Sequence, residues 1–138
     1  MRINFNGGYY DGAVNANNYP HGYGVFSSPS GDRYEGNFIN GKQHGKGTMV
    51  YRDGGKYVGD WCNGVKSGKG TFYSPEGERY TGDFSNGEMH GTGVLTFFDG
   101  ARYEGSFSYG KMHGFGTFYD NRGNLVFRGN WRNNDPQG

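Results

Sequence analysis

Leucine is almost missing from this chain: two residues in 138, Leu95 and Leu125. That excludes a helical bundle and any usual aliphatic core. A single cysteine, Cys62, excludes an internal disulfide framework and fits a reducing compartment. No apolar run reaches the length of a signal peptide or a membrane-spanning helix, and the N-terminal MRINFNGGYY turns polar within a few residues. No Asn-x-Ser/Thr sequon occurs. These absences lead us to expect a cytoplasmic protein. Excess charge is missing too, with 14 basic residues against 13 acidic ones. Phosphate binding needs a basic surface, so a nucleic-acid partner is set aside.

What is abundant is glycine, 29 residues, together with 12 Tyr and 11 Phe. They alternate with a fixed period, which low-complexity linkers do not. The stretch YEGNFINGKQHGKGTMVYRDGGK, 34–56, is largely copied from Tyr57, Tyr80 and Tyr103, each 23 residues after the last. Glycines recur at Gly36, Gly59, Gly82 and Gly105, and an aromatic two places on at Phe38, Trp61, Phe84 and Phe107. A repeat this regular sets the architecture before any single residue is read. One array fills the chain: a partial repeat 1–9, repeats 10–33, 34–56, 57–79, 80–102 and 103–126, and a partial repeat 127–138.

Within a copy, the segment YEGNF at 34–38 alternates aromatic and polar with the period of a half-buried strand. Asn40-Gly41 follows, with Asn63-Gly64 and Asn86-Gly87 in the same place, a pair that readily adopts positive φ and marks a turn. A second strand, 45–51, runs to the turn Asp53-Gly54-Gly55. Each repeat is therefore a β-hairpin, and short connections set each strand beside its predecessor. The predicted fold is all-β: an elongated, single-layer antiparallel meander of roughly eleven strands.

The unit YEGNFINGKQHGKGTMVYRDGG resembles the MORN repeat, whose pattern is close to Y-x-G-x-W/F-x-x-G-x-x-H-G-x-G. Four adjacent copies in register carry the resemblance across nearly the whole chain. The departures are Ser67 for the histidine, Val94 in the usual Thr place, Asn134 for a turn glycine, and a loose first copy. The resemblance implies an interaction module linked to cytoskeletal or membrane-associated assemblies and to dimerisation. It also implies an acidic-lipid or enzyme-accessory role as alternatives.

Strand parity sorts the side chains. One face takes Arg33, Glu35 and Asn37 with their copies, including the basic column Arg33, Lys56, Arg79 and Arg102, and reads as a neutralised, solvated wall. The other takes Tyr34, Phe38, Tyr57, Trp61, Tyr80, Phe84, Tyr103 and Phe107 over glycine. In a single layer nothing is expected to cover that strip, and uncovered apolar strips mark interfaces, so these eight residues are the predicted site for a protein or peptide partner. Partial repeats leave open edge strands at both ends, which predicts a homo-oligomer. A weaker reading assigns anionic phospholipid to Lys42, Lys46, Lys56, Lys66 and Lys69, in a segment whose six basic residues meet two acids.

No catalytic constellation emerges and no cofactor is expected. His21, His44, His90 and His113 fall on neighbouring copies about 10 Å apart, too far to share a metal ion, and their place predicts turn stabilisation. Cys62 lacks a His-Asp pair fixed by sequence. The strings GKGTF and GTGVL precede no helix and so form no phosphate loop.

Overall fold

A computed structural model describes residues 2–138. The described residues form one sheet of thirteen antiparallel strands in chain order. They are β1 (Arg2–Phe5), β2 (Gly8–Val14), β3 (Pro20–Ser27), β4 (Arg33–Ile39), β5 (Lys42–Val50), β6 (Lys56–Cys62), β7 (Val65–Tyr73), β8 (Arg79–Ser85), β9 (Glu88–Thr96), β10 (Arg102–Ser108), β11 (Lys111–Tyr119), β12 (Leu125–Arg132) and β13 (Asp135–Pro136). The count exceeds the expected eleven because the short flanking segments β1 and β13 also pair.

Two turn chemistries alternate. At one edge, Asn40-Gly41 has φ of 47° and 86°, and Asn63-Gly64 and Asn86-Gly87 repeat it, as a two-residue turn with both residues at positive φ requires. At the other edge a longer turn closes with Tyr51 N–H on the Gly55 carbonyl at 2.9 Å, and Asp53 Oδ1 accepts from Gly55 N–H at 2.9 Å.

The Asn-Gly edge is stitched from one hairpin to the next. The Asn40 N–H donates to His21 Nδ1 at 3.2 Å, Asn63 to His44 at 3.4 Å, Tyr109 to His90 at 3.5 Å and Asn133 to His113 at 3.3 Å. Beside each ring, the turn glycine reaches back as well: Gly41 N–H to the Pro20 carbonyl and Gly64 N–H to the Gln43 carbonyl, both 2.8 Å. Serine stands where the ring would be at Ser67, and the Asn86 turn keeps the glycine bond to the Lys66 carbonyl.

Each Asn-Gly hairpin carries a bulge. Gly36 pairs Gly47, but Phe38 pairs Gln43, so two steps on β4 meet four on β5. The same shift follows Gly59, Gly82 and Gly105. Asp60 Oδ2 accepts from the Lys69 N–H and Asp83 Oδ2 from the Thr92 N–H, each at 3.0 Å, so a carboxylate on the open face takes up a backbone donor in the bulged segment.

Candidate functional site

The two faces have opposite fates, and the aromatic one corrects the expectation of an uncovered strip. Tyr34, Phe38, Tyr57, Trp61, Tyr80, Phe84, Tyr103 and Phe107 are all buried, at most 6% exposed. Glycine makes this possible in a single layer. Facing glycines form a row across the sheet, Gly36–Gly47–Gly59–Gly70–Gly82–Gly93–Gly105–Gly116, at one register. Each tyrosine ring leans over this row toward its own strand's carbonyl. The Tyr57 hydroxyl donates to the Asp60 carbonyl at 2.8 Å, and Tyr34, Tyr80 and Tyr103 repeat the bond on Asn37, Asp83 and Ser106. A methyl group added at Gly47 would overlap the Tyr34 hydroxyl, and at Gly70 that of Tyr57.

The rings then cover one another. Tyr34 meets Phe38 at 5.0 Å and Trp61 at 5.3 Å; Tyr57 meets Trp61 at 5.2 Å and Phe84 at 5.0 Å, all edge-on. Tyr80, Phe107, Tyr103 and Trp131 continue the chain. Pairs in this geometry contribute about 1 kcal/mol each beyond their area. Burial pushes the tyrosine hydroxyls up, that of Tyr57 to about 12. The rings are the core, and none is free to receive a partner.

The five lysines do not form one patch either. Lys46 and Lys69, both exposed on the opposite face, pair with Asp60 and Asp83. Lys42 starts β5 at the Asn-Gly edge and Lys56 lies exposed with its ammonium 5.6 Å from the Tyr73 ring. Lys66 pairs Trp61 and so sits on the aromatic face, with its ammonium 5.0 Å from Phe72, 5.4 Å from Tyr51 and 5.5 Å from Tyr57. Burial pushes that ammonium's pKa down.

The face read as a solvated wall carries the available surface. Cross-strand register sorts it into three rows. The first runs Arg33, Val50, Lys56, Tyr73, Arg79, Thr96, Arg102. The second is mostly β-branched: Thr48, Val58, Thr71, Thr81, Val94. The third alternates Lys46, Asp60 and Lys69, Asp83. Between the second and third lies a trough floored by the glycine row. It holds about 570 Å³ around Val58, Thr48 and Lys46, and continues for about 300 Å³ past Thr71 and Thr81. Ion pairs quench Arg33 with Glu35 at 3.3 Å and Arg102 with Glu104 at 2.5 Å. Among the described residues, Lys56 and Arg79 have no carboxylate partner. Sequence parity had located these residues; it could not show that the opposite face would consume its own rings.

A hairpin array with this glycine row, ring chain and histidine-bound turn is matched by one family model, that of the MORN repeat, over residues 16–33, 34–56, 57–79, 80–102 and 103–125. The chain is a MORN-repeat protein. A comparison with curated proteins finds no match. MORN repeats serve in general in protein or membrane interaction, their arrays are typically non-catalytic, and MORN proteins are often associated with membranes or the cytoskeleton. Among the described residues, no helix is long and apolar enough to cross a membrane.

Proposed function

We propose that this MORN array is a non-catalytic scaffold that binds a protein partner on the open face, opposite the ring chain. One observation carries the reading. The eight rings are spent on their own packing, whereas the open face presents a continuous trough with Val58 40% exposed, and the row beyond its β-branched wall carries two unpaired cations. The eight rings act beneath it, and the tyrosines among them pack against the glycine backbone that floors the trough. Self-association and a place in cytoskeletal or membrane-associated assemblies of the cytoplasm belong to the same proposal. The division of the lysines between two faces, and the pairing of Lys46 and Lys69, weigh against an acidic-lipid surface as the main activity.

The test is capture of partners by the whole chain, comparing wild type with Val58→Asp/Thr81→Asp after far-UV circular dichroism shows the sheet intact. The variant is expected to lose them. Capture of the same partners by a folded variant would overturn the open-face assignment. Sedimentation over a range of concentrations reads self-association directly.

A further inference from the structure

The trough has a spacing, and the spacing selects its occupant. Neighbouring strands lie about 4.8 Å apart, so one repeat advances about 9.6 Å across the sheet. An α-helix laid across the strands advances about 10.5 Å in seven residues. Two periodicities then coincide. The second row offers one β-branched residue per strand (Val58, Thr71, Thr81, Val94), and a helix with apolar a and d positions offers one per about 5.3 Å. The first row offers a cation once per repeat (Lys56, then Arg79), matching one flank position per heptad. The mismatch of about 1 Å per repeat is within the reach of lysine and arginine side chains.

Other backbones fit less well. An extended chain uses about three residues for the same advance, and because its side chains alternate it would turn its apolar side away at every second repeat. A polyproline helix repeats after three residues and about 9.3 Å, but offers one side chain per repeat to a row that has two.

Charge sets the sign. Lys56 and Arg79 are exposed and unpaired on one side of the β-branched row, with the Tyr73 ring, 41% exposed, between them. On the other side Lys46 with Asp60 and Lys69 with Asp83 are internally neutralised. A ligand complementary to both is apolar underneath, acidic on one flank and neutral on the other.

We propose that the open face receives an acidic amphipathic α-helix of another protein, lying across the strands with its heptads in step with the repeats. This rests on the docking-face reading above. The probe is a fluorescein-labelled peptide of three heptads with leucine at a and d and glutamate along one flank. A second peptide of the same composition has its glutamates moved out of heptad spacing. Fluorescence anisotropy with the whole chain is expected to show the phased peptide binding at least tenfold tighter. Lys56→Glu/Arg79→Glu is expected to weaken it at least tenfold, and Lys42→Glu, at the turn edge, to leave it unchanged. Lys56→Gln/Arg79→Gln replaces the reversal should that variant fail to fold. Equal binding of the two peptides, indifference to the Lys56 and Arg79 changes, or tighter binding to phosphatidylglycerol vesicles than to the phased peptide would overturn the inference. Open-face variants that still capture the chain's partners would instead overturn the docking-face reading itself.

Discussion

At the residue scale, Asp60 is held by two bonds that act together. Lys46 and the Lys69 N–H both favour its carboxylate form, and they hold its pKa below the ordinary range; Lys69 and the Thr92 N–H do the same for Asp83. A depressed folded value contributes stability above the unfolded pKa, near 3.9, which is lost as pH falls through the folded one. Asp60→Ala leaves the Lys69 N–H without its acceptor and is expected to cost about 1 kcal/mol at pH 7, a modest figure because the group is partly solvated. Urea midpoints should show that difference shrinking as the pH is taken toward 2. A second residue-scale outcome concerns Gly70, whose place under the Tyr57 ring has no room for a methyl group. Gly70→Ala is expected to destabilise by about 1–3 kcal/mol, as overpacking does, in the same urea assay.

At the scale of the element, the Asn-Gly turns show what a missing part does. Three of the four neighbouring turns from Asn40 to Tyr109 receive a histidine nitrogen from the preceding hairpin, and the turn at Asn86 faces Ser67. Ser67→His is therefore expected to stabilise by about 0.5–1.5 kcal/mol, one added hydrogen bond, read by the denaturation midpoint. Tyr109 stands at φ 52° where the other hairpins place asparagine, and it is 74% exposed. Tyr109→Asn should relieve about 1 kcal/mol of left-handed strain. The hairpins, their turns and the two faces were readable from the 23-residue period and from parity, because both are local properties of the chain. The fate of the faces was not. Whether Tyr34 is bare or buried depends on Trp61, a residue of the next repeat, and on Gly47 across the hairpin, so the answer lies in register and bulge geometry. For that reason the proposed docking face is the one behind the rings. Lys66 differs: the run of basic residues groups it with Lys46 and Lys69, but it stands three residues from Lys69 on β7, and parity already turns it to the aromatic face, where it pairs Trp61.

At the scale of the whole molecule, the ring chain makes the array's stability a property of many tyrosines acting in parallel. Tyr10, Tyr34, Tyr57, Tyr80 and Tyr103 are each fully or almost fully buried, and desolvation raises every hydroxyl above its ordinary value. An unfolded tyrosine ionises near 10, so between that pH and about 12, the folded value of Tyr57, the unfolded chain releases protons that the folded chain retains. The contribution is present in full below about pH 10 and is lost as pH rises through the folded values. Because the tyrosines are spread from β2 to β10 and joined through shared Phe and Trp rings, their ionisation is expected to accompany opening of the sheet. The expected outcome is that the share of phenolate absorbance at 295 nm due to these five buried rings grows in together with the loss of far-UV circular dichroism, above pH 10. Complete ionisation of the five buried rings with the sheet signal unchanged would show that they are not the element that holds this array together.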